Sequence, residues 1–355
     1  MVTESDHIVA ATAARIFADL ADPQTVNKAR DAEWKAPLWR AISDAGLAHA
    51  WVPESLGGAG ASLAEGFEVI AAAGRIALPV PVVETLLAGW LLAQAELKPP
   101  DGAMTVAPAR PRDKLTLNPD GSISGRASGV PFAAECGHIA VLAASDAGMT
   151  IALVKSADCR VGEGFNLAGE PSNTVTFERA VPVHSAPAPD GFAARSLLAM
   201  GAVVRGVQAA GAMQTLLALS VEYANERVAF ERKIGKFQAV QQNLARLAGE
   251  TAAALAASGS AADTVEYASR FDDTLLLEAA SAKIRCGEAS AEASAIAHQV
   301  HGAIGFTNEH VLHRFTLRLL SWRDDFGHES YWAATLGAMV AQRGGDTFWP
   351  LLASR

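Results

Sequence analysis

Gln299-Val300-His301-Gly302-Ala303-Ile304-Gly305-Phe306 puts a side-chain amide and two glycines where an Ala-rich helical pattern stops. Glycine ends helices, tolerates positive φ and lets another molecule approach the backbone closely. An amide beside such a break can hydrogen-bond a ligand's phosphates or ring, although Gly after a helix is more often a plain C-cap. A second stretch, Arg227 to Gln238, decides how the first is read.

The chain around these stretches has 355 residues, room for two or three domains and a large core. Half of it is hydrophobic and 19% is charged, the balance of a globular protein rather than a disordered one. With a net charge of −9 and no basic block, nucleic acid is not expected as a partner. Cys136, Cys159 and Cys286 are odd in number and widely spaced, so neither a disulfide framework nor a zinc pattern is expected. Glu4, Asp6 and Asp19 stand near the start without a compact apolar run, the pattern of a chain with no secretory signal. Pro79, Pro81 and Glu84 interrupt the apolar run from Ile76 to Leu92, which argues against a membrane span. These features predict a cytoplasmic enzyme.

Three regions follow along the chain. Residues 1–102 read as helices joined by short turns, with Gly46 as a stop and Ser62-Leu-Ala-Glu65 as a capping box. Residues 103–190 hold short β-branched runs such as 139–142, 150–154 and 174–177, which predict a small antiparallel barrel or sandwich. Residues 191–355 hold long Ala-rich helices over about 193–229, 239–268 and 273–302, with at least one more beyond 307, which predict an antiparallel bundle. The expected fold class is α+β, mostly α: N-terminal helices, a middle β domain and a C-terminal four-helix bundle. Gly201, Gly206 and Gly211 inside the first bundle helix predict close helix–helix contacts.

Glu226-Arg-Val-Ala-Phe-Glu-Arg-Lys-Ile-Gly-Lys-Phe-Gln238 resembles the Arg-x-x-Phe-Gly…Ile-x-x-Phe-Gln element of acyl-CoA dehydrogenases. The 299–305 stretch resembles that family's Gln-x-x-Gly-Gly-x-Gly, and Trp51 to Gly60 is similar to its Pro-Glu-x-x-Gly-Gly-x-Gly turn. The resemblance implies an FAD-dependent enzyme acting on an acyl-CoA, with an electron-transfer flavoprotein or similar acceptor. It also implies a dimer or tetramer in which these segments reach a neighbour's FAD. On that reading Arg227 meets the pyrophosphate, which suits a planar guanidinium. Phe230 would pack on the cofactor, Gln238 and Gln299 would hydrogen-bond its adenosine diphosphate half, and Gly302, Ala303 and Gly305 would leave room for it. A subgroup with a Gln-x-His-Gly-Gly-x-Gly-Phe-Thr-x-Glu-His motif fits better still. It includes dehydrogenases for steroid and branched thioesters, some built from two unlike subunits.

The chain also departs from the family. The family's base is a glutamate 27 residues after the first Gln of the glycine motif, and that count from Gln299 reaches Phe326. The alternative position, 29 residues before the Phe of Arg-x-x-Phe, is Gly201, with Ala202 beside it. Gly129-Val130-Pro131 stands where Trp-x-Thr commonly flanks the flavin. Asp325 is the candidate replacement base, with pairing to Arg323 or helix capping as the alternative, and Glu329 is expected to face solvent. His298, His301, His310 and His313 form i, i+3 pairs, yet no accompanying Cys or carboxylate cluster makes them a metal site. Two functions remain open: a catalytic FAD-dependent acyl-CoA dehydrogenase, or a non-catalytic partner subunit of a heteromeric one.

Overall fold

The computed structural model describes residues 8–268 and 270–353; Glu4 and Asp6, on which the expectation about a secretory signal rests, lie outside them. The first helices are α1 (Ile8–Ala21), α2 (Pro23–Lys28), α3 (Lys35–Asp44), α4 (Leu63–Arg75) and α5 (Val82–Ala93). Gly46 adopts φ 70 and ends the α3 turn, as its position predicts. Ser62 Oγ accepts from Glu65 N–H while the Glu65 carboxylate accepts from Ser62 N–H, so the expected capping box forms. Pro81 is pre-organised to open α5, whose first turn carries Glu84 into the interior.

The middle region is one eight-stranded sheet. Its strands are β1 (Met104–Ala107), β2 (Lys114–Leu117), β3 (Ile123–Pro131), β4 (His138–Ser145), β5 (Gly148–Lys155), β6 (Arg160–Gly162), β7 (Ser172–Ala180) and β8 (His184–Pro187). The order is β6-β7-β3-β2-β4-β5-β8, with β1 on β4. Most neighbours are antiparallel, as expected, but β1 and β2 both pair parallel with β4. Alternation along the strands serves two cores. Ile139, Val141 and Ala143 of β4 face a core inside the β region, whereas Ala140 and Leu142 face the helices.

The bundle is α6 (Ala194–Glu226), α7 (Gln238–Tyr267) and α8 (Asp273–His301), followed by α9 (Leu312–Trp322), α10 (Glu329–Arg343) and α11 (Gly345–Ala353). Between α6 and α7 lies a small hairpin of β9 (Val228–Ala229) and β10 (Arg232–Lys233). Helix α6 has 33 residues and packs against α4, α7, α8 and α9. Its most apolar 18-residue window is long and apolar enough for a membrane span, yet it is wholly buried inside the protein. Glycine permits the tightest crossing: a Cβ at Gly211 would overlap the Ala71 carbonyl of α4, and one at Gly74 the Gln208 carbonyl of α6. Gly206 makes only ordinary contacts, with Cys286 and Ser258.

Candidate functional site

At one end of the bundle α6 stops because Arg227 leaves the helical conformation, its N–H still donating to Tyr223 O at 2.9 Å. The hairpin that follows pairs Ala229 with Arg232, so Phe230 and Glu231 form a two-residue tip with φ 51 and 62. That is the type I′ geometry normally filled by Asn-Gly, here carried by two residues with Cβ atoms. The tip holds Phe230 out at 90% exposure. Beneath it the Arg232 guanidinium lies 4.0 Å from the Phe237 ring centroid. Gln238 then opens α7.

The second stretch reaches the same end. α8 stops at Gly302, whose φ 62 and ψ −143 belong to glycine, and whose N–H donates to His298 O. Gly305 is buried against Leu312 and His301, while Gln299 and Ala303 are exposed. The two segments are joined by a stack of Tyr223 on His301, centroids 4.5 Å apart and planes 21° apart, with His310 edge-on to both rings. Among the described residues the side chains of Arg227, Gln238 and Gln299 have no hydrogen-bond or ion-pair partner. One exposed surface therefore offers a guanidinium, two amides and an aromatic ring, the donor set that suits an adenosine diphosphate.

A different region lies between the β sheet and α9–α10. A cavity of about 640 Å³ is lined by Arg110, Arg112, Asp113, Ser128, His328 and Tyr331, among others. Behind Arg110 lies a buried ion cluster. Arg205, at 3% exposure in the middle of α6, donates from Nη2 to Glu84 Oε1 at 2.6 Å and from Nε to Asp325 Oδ2 at 3.0 Å. Its Nη1 donates to Gln208 Oε1 at 2.6 Å. Arg110 Nη2 sits 3.6 Å from Asp325 Oδ1, and Arg110 Nη1 donates to the Asp324 carbonyl. Burial raises the Glu84 carboxyl above its ordinary range, with the Arg205 charge opposing the shift. Lys283 of α8 donates to Trp322 O at 2.6 Å, and burial pushes its amine down to about 8.

Asp325 therefore pairs with Arg205 and Arg110, not with Arg323 as the local sequence offered. Arg323 binds Glu329 at 2.6 Å instead, and Glu329 is turned inward against Gly287 rather than facing solvent. Next to Asp325, the Phe326 ring is 1% exposed and lies flat on Gly201 of α6, where a Cβ would overlap it. Phe326 has φ 56; its N–H donates to Ala109 O at 2.9 Å and its carbonyl accepts from Trp332 Nε1 at 3.0 Å. The positions to which two separate sequence counts lead thus touch each other. At the β3 segment 129–131 the Arg110 guanidinium lies against Gly129, leaving no room for a Cβ there, and the Pro131 carbonyl accepts from Thr105 Oγ1 at 2.7 Å.

Sequence reasoning named Asp325 but missed Arg205, Arg110, Glu84 and Lys283 as its surroundings. A signal was present: Arg205 and Glu84 are single charges within apolar runs, and a lone buried charge requires a partner. The histidines are packing residues. His298 contacts Thr316 Oγ1 at 2.9 Å and stacks on Phe306, and among the described residues no cluster of His, Cys, Asp and Glu could hold a metal.

Comparison with known proteins agrees with this architecture. Residues 3–95 match the acyl-CoA dehydrogenase N-terminal domain and residues 190–323 the C-terminal domain. The chain belongs to the acyl-CoA dehydrogenase family, whose cofactor is FAD. It is 29% identical over 327 residues to the acyl-CoA dehydrogenase IpdE2 of Mycobacterium tuberculosis, covering 89% of this chain and 91% of that one. In fold it is similar to the ChsE4–ChsE5 complex of Mycobacterium tuberculosis, with TM-score 0.85, 23% identity, and 97% and 99% of the two chains covered. It is also similar in fold to the FAD complex of PigA, with TM-score 0.80, 19% identity, and coverage of 96% and 99%. The exposed donors at the bundle end fit the cofactor's adenosine diphosphate. At the β3 segment the Arg110 guanidinium packs on Gly129, and residues 129–131 hold no Trp or Thr to flank its ring system.

Proposed function

We propose that this chain is the non-catalytic subunit of a heteromeric FAD-dependent acyl-CoA dehydrogenase, lending half of a cofactor cradle to a homologous partner. The observation that carries the reading is the Phe326 ring packed on Gly201, since both positions that hold a base in the family are here apolar and in contact. Asp325 does not readily replace that base: its two carboxylate oxygens face Arg205 and Arg110, and it is 7% exposed. The ChsE4–ChsE5 complex, a fold relative made of two differently named chains, supports a heteromer.

In this assembly Arg227 pairs with the diphosphate, Gln238 and Gln299 hydrogen-bond the adenosine half, and Phe230 covers it from the hairpin tip. Gly302, Ala303 and Gly305 keep the α8 end low enough for the cofactor to approach. Bound FAD supplies the hydride acceptor for the thioester's Cβ. The partner supplies the base and acyl pocket, and the three free cysteines suit a cytoplasmic setting.

The decisive measurement is the visible spectrum of the chain purified alone, then mixed with a homologous subunit. Flavin absorption is expected only in the mixture, and Arg227→Ala should abolish it. A stoichiometric flavin in the isolated chain, bleached anaerobically by an acyl-CoA, would sink the proposal. If bleaching then survived Asp325→Asn, Asp325 would also be excluded as base.

A further inference from the structure

We infer that Tyr223 and His301 are positioning residues, a ring-on-ring clasp that sets the spacing between the Arg227 and Gln299 halves of the cradle. The inference builds on the reading of that end as a cofactor cradle. It concerns two rings that lie between the donor-bearing segments.

The two cradle halves come from chain segments about seventy residues apart, on helices that both terminate there. Tyr223 lies one turn before Arg227 and accepts its N–H; His301 lies two residues after Gln299 and immediately before Gly302. Their stack joins the last turn of α6 to the last turn of α8 at the level of the donors. Neither segment is otherwise held there by a side-chain ion pair among the described residues.

The chemistry of His301 makes the clasp specific. Its Nδ1 lies 2.8 Å from the Ala297 carbonyl, which can only accept, so Nδ1 carries the proton. Nε2 is then a bare acceptor, buried and without a hydrogen-bond partner among the described residues. The titratable groups facing His301 are Tyr223 of α6, His310 after the α8 turn and His298 on its own helix. None of them offers a counter-charge. Burial pushes the imidazole down to about 4, the Ala297 hydrogen bond opposing this and His310 and His298 adding to it. A ring that stays neutral can stack flat on Tyr223 and still cap its own helix. The stability it contributes is complete above pH 6.5, its ordinary value, and is lost as pH falls toward 4.

The test uses the full chain purified without flavin, in a Cys159→Ser background, spin-labelled at Glu226→Cys and Ile304→Cys. Both sites flank the clasp at the surface. Pulsed dipolar spectroscopy is expected to give one narrow distance. Tyr223→Ala should lose that single peak while Tyr223→Phe, which keeps the ring, retains it; melting temperatures show that both variants are folded. His301→Phe should keep the peak at pH 5, where the parent chain begins to lose it. A narrow peak that survives Tyr223→Ala would overturn the inference, as would a Tyr223→Phe chain as broad as Tyr223→Ala. Because no cofactor is present, neither result depends on whether the chain acts as a partner subunit.

Discussion

Replacing Gly201 by alanine tests the contact on which the proposed function rests. The added Cβ would lie 2.7 Å from Phe326 Cδ2 and nearer still to Cγ and Cδ1, against about 3.5–4.0 Å for relaxed carbon contacts. The ring must retreat by about 1 Å, yet backbone hydrogen bonds to Ala109 and Trp332 hold Phe326 at both ends. Overpacking of this kind costs about 1–3 kcal/mol, and the helix propensity gained over glycine returns up to about 1 kcal/mol. With the full propensity returned the net loss is about 0–2 kcal/mol, a fall in Tm of up to several degrees at roughly 2–4 °C per kcal/mol. Phe326→Ala alone costs about 3–5 kcal/mol through the void it leaves. In that background the clash is gone, so Gly201→Ala should become stabilising by about 1 kcal/mol. Scanning fluorimetry or urea melts of the four chains measure the cycle. Equal destabilisation by Gly201→Ala in both backgrounds would refute the packing argument.

Other perturbations have equally definite outcomes. Arg205→Ala leaves Glu84 and Asp325 buried without their shared cation and should cost about 3–5 kcal/mol, read as a lowered urea midpoint. Glu231→Gly removes a left-handed Cβ from the hairpin tip and should raise stability by about 1 kcal/mol; a lower Tm would show that the tip is unstrained. Lys283 binds its proton more weakly folded, at about 8, than unfolded, so the unfolded chain holds more protons between pH 8 and 10.5. Stability from this group therefore rises with pH across that window, by up to roughly 3 kcal/mol, and Lys283→Met should flatten the rise.

The sequence read the long elements well for physical reasons. Ala-rich periodicity and the caps at Ser62 and Gly302 located the helices to within a few residues, because local backbone chemistry alone sets those signals. β-branched runs located strands β4, β5 and β7, but the parallel pairing of β1 and β2 with β4 depends on long-range register that no local pattern encodes. Motif spacing singled out Arg227, Gln238 and Gln299, which the structure leaves exposed at one end of the bundle. The ion chain was not, because Glu84, Arg110, Arg205 and Asp325 lie on four separate segments, and only the fold brings them within hydrogen-bond reach. The same holds for Gly201 and Phe326: counting found each position, but their contact is a fact of three dimensions.

The burial of α6 has a consequence for synthesis. The most apolar window of α6 has no face of its own to show to water, and two of its covers, α7 and α8, are translated after it, whereas α4 precedes it. The last residue of α8 follows the last of α6 by 75 positions, 301 less 226. At about 5–20 residues per second the growing chain carries that surface without α7 and α8 for roughly 4–15 seconds. During that interval α6 is a ready substrate for ribosome-associated chaperones or a seed for aggregation. The two short loops that bring α7 and α8 back over it limit how long the exposure lasts.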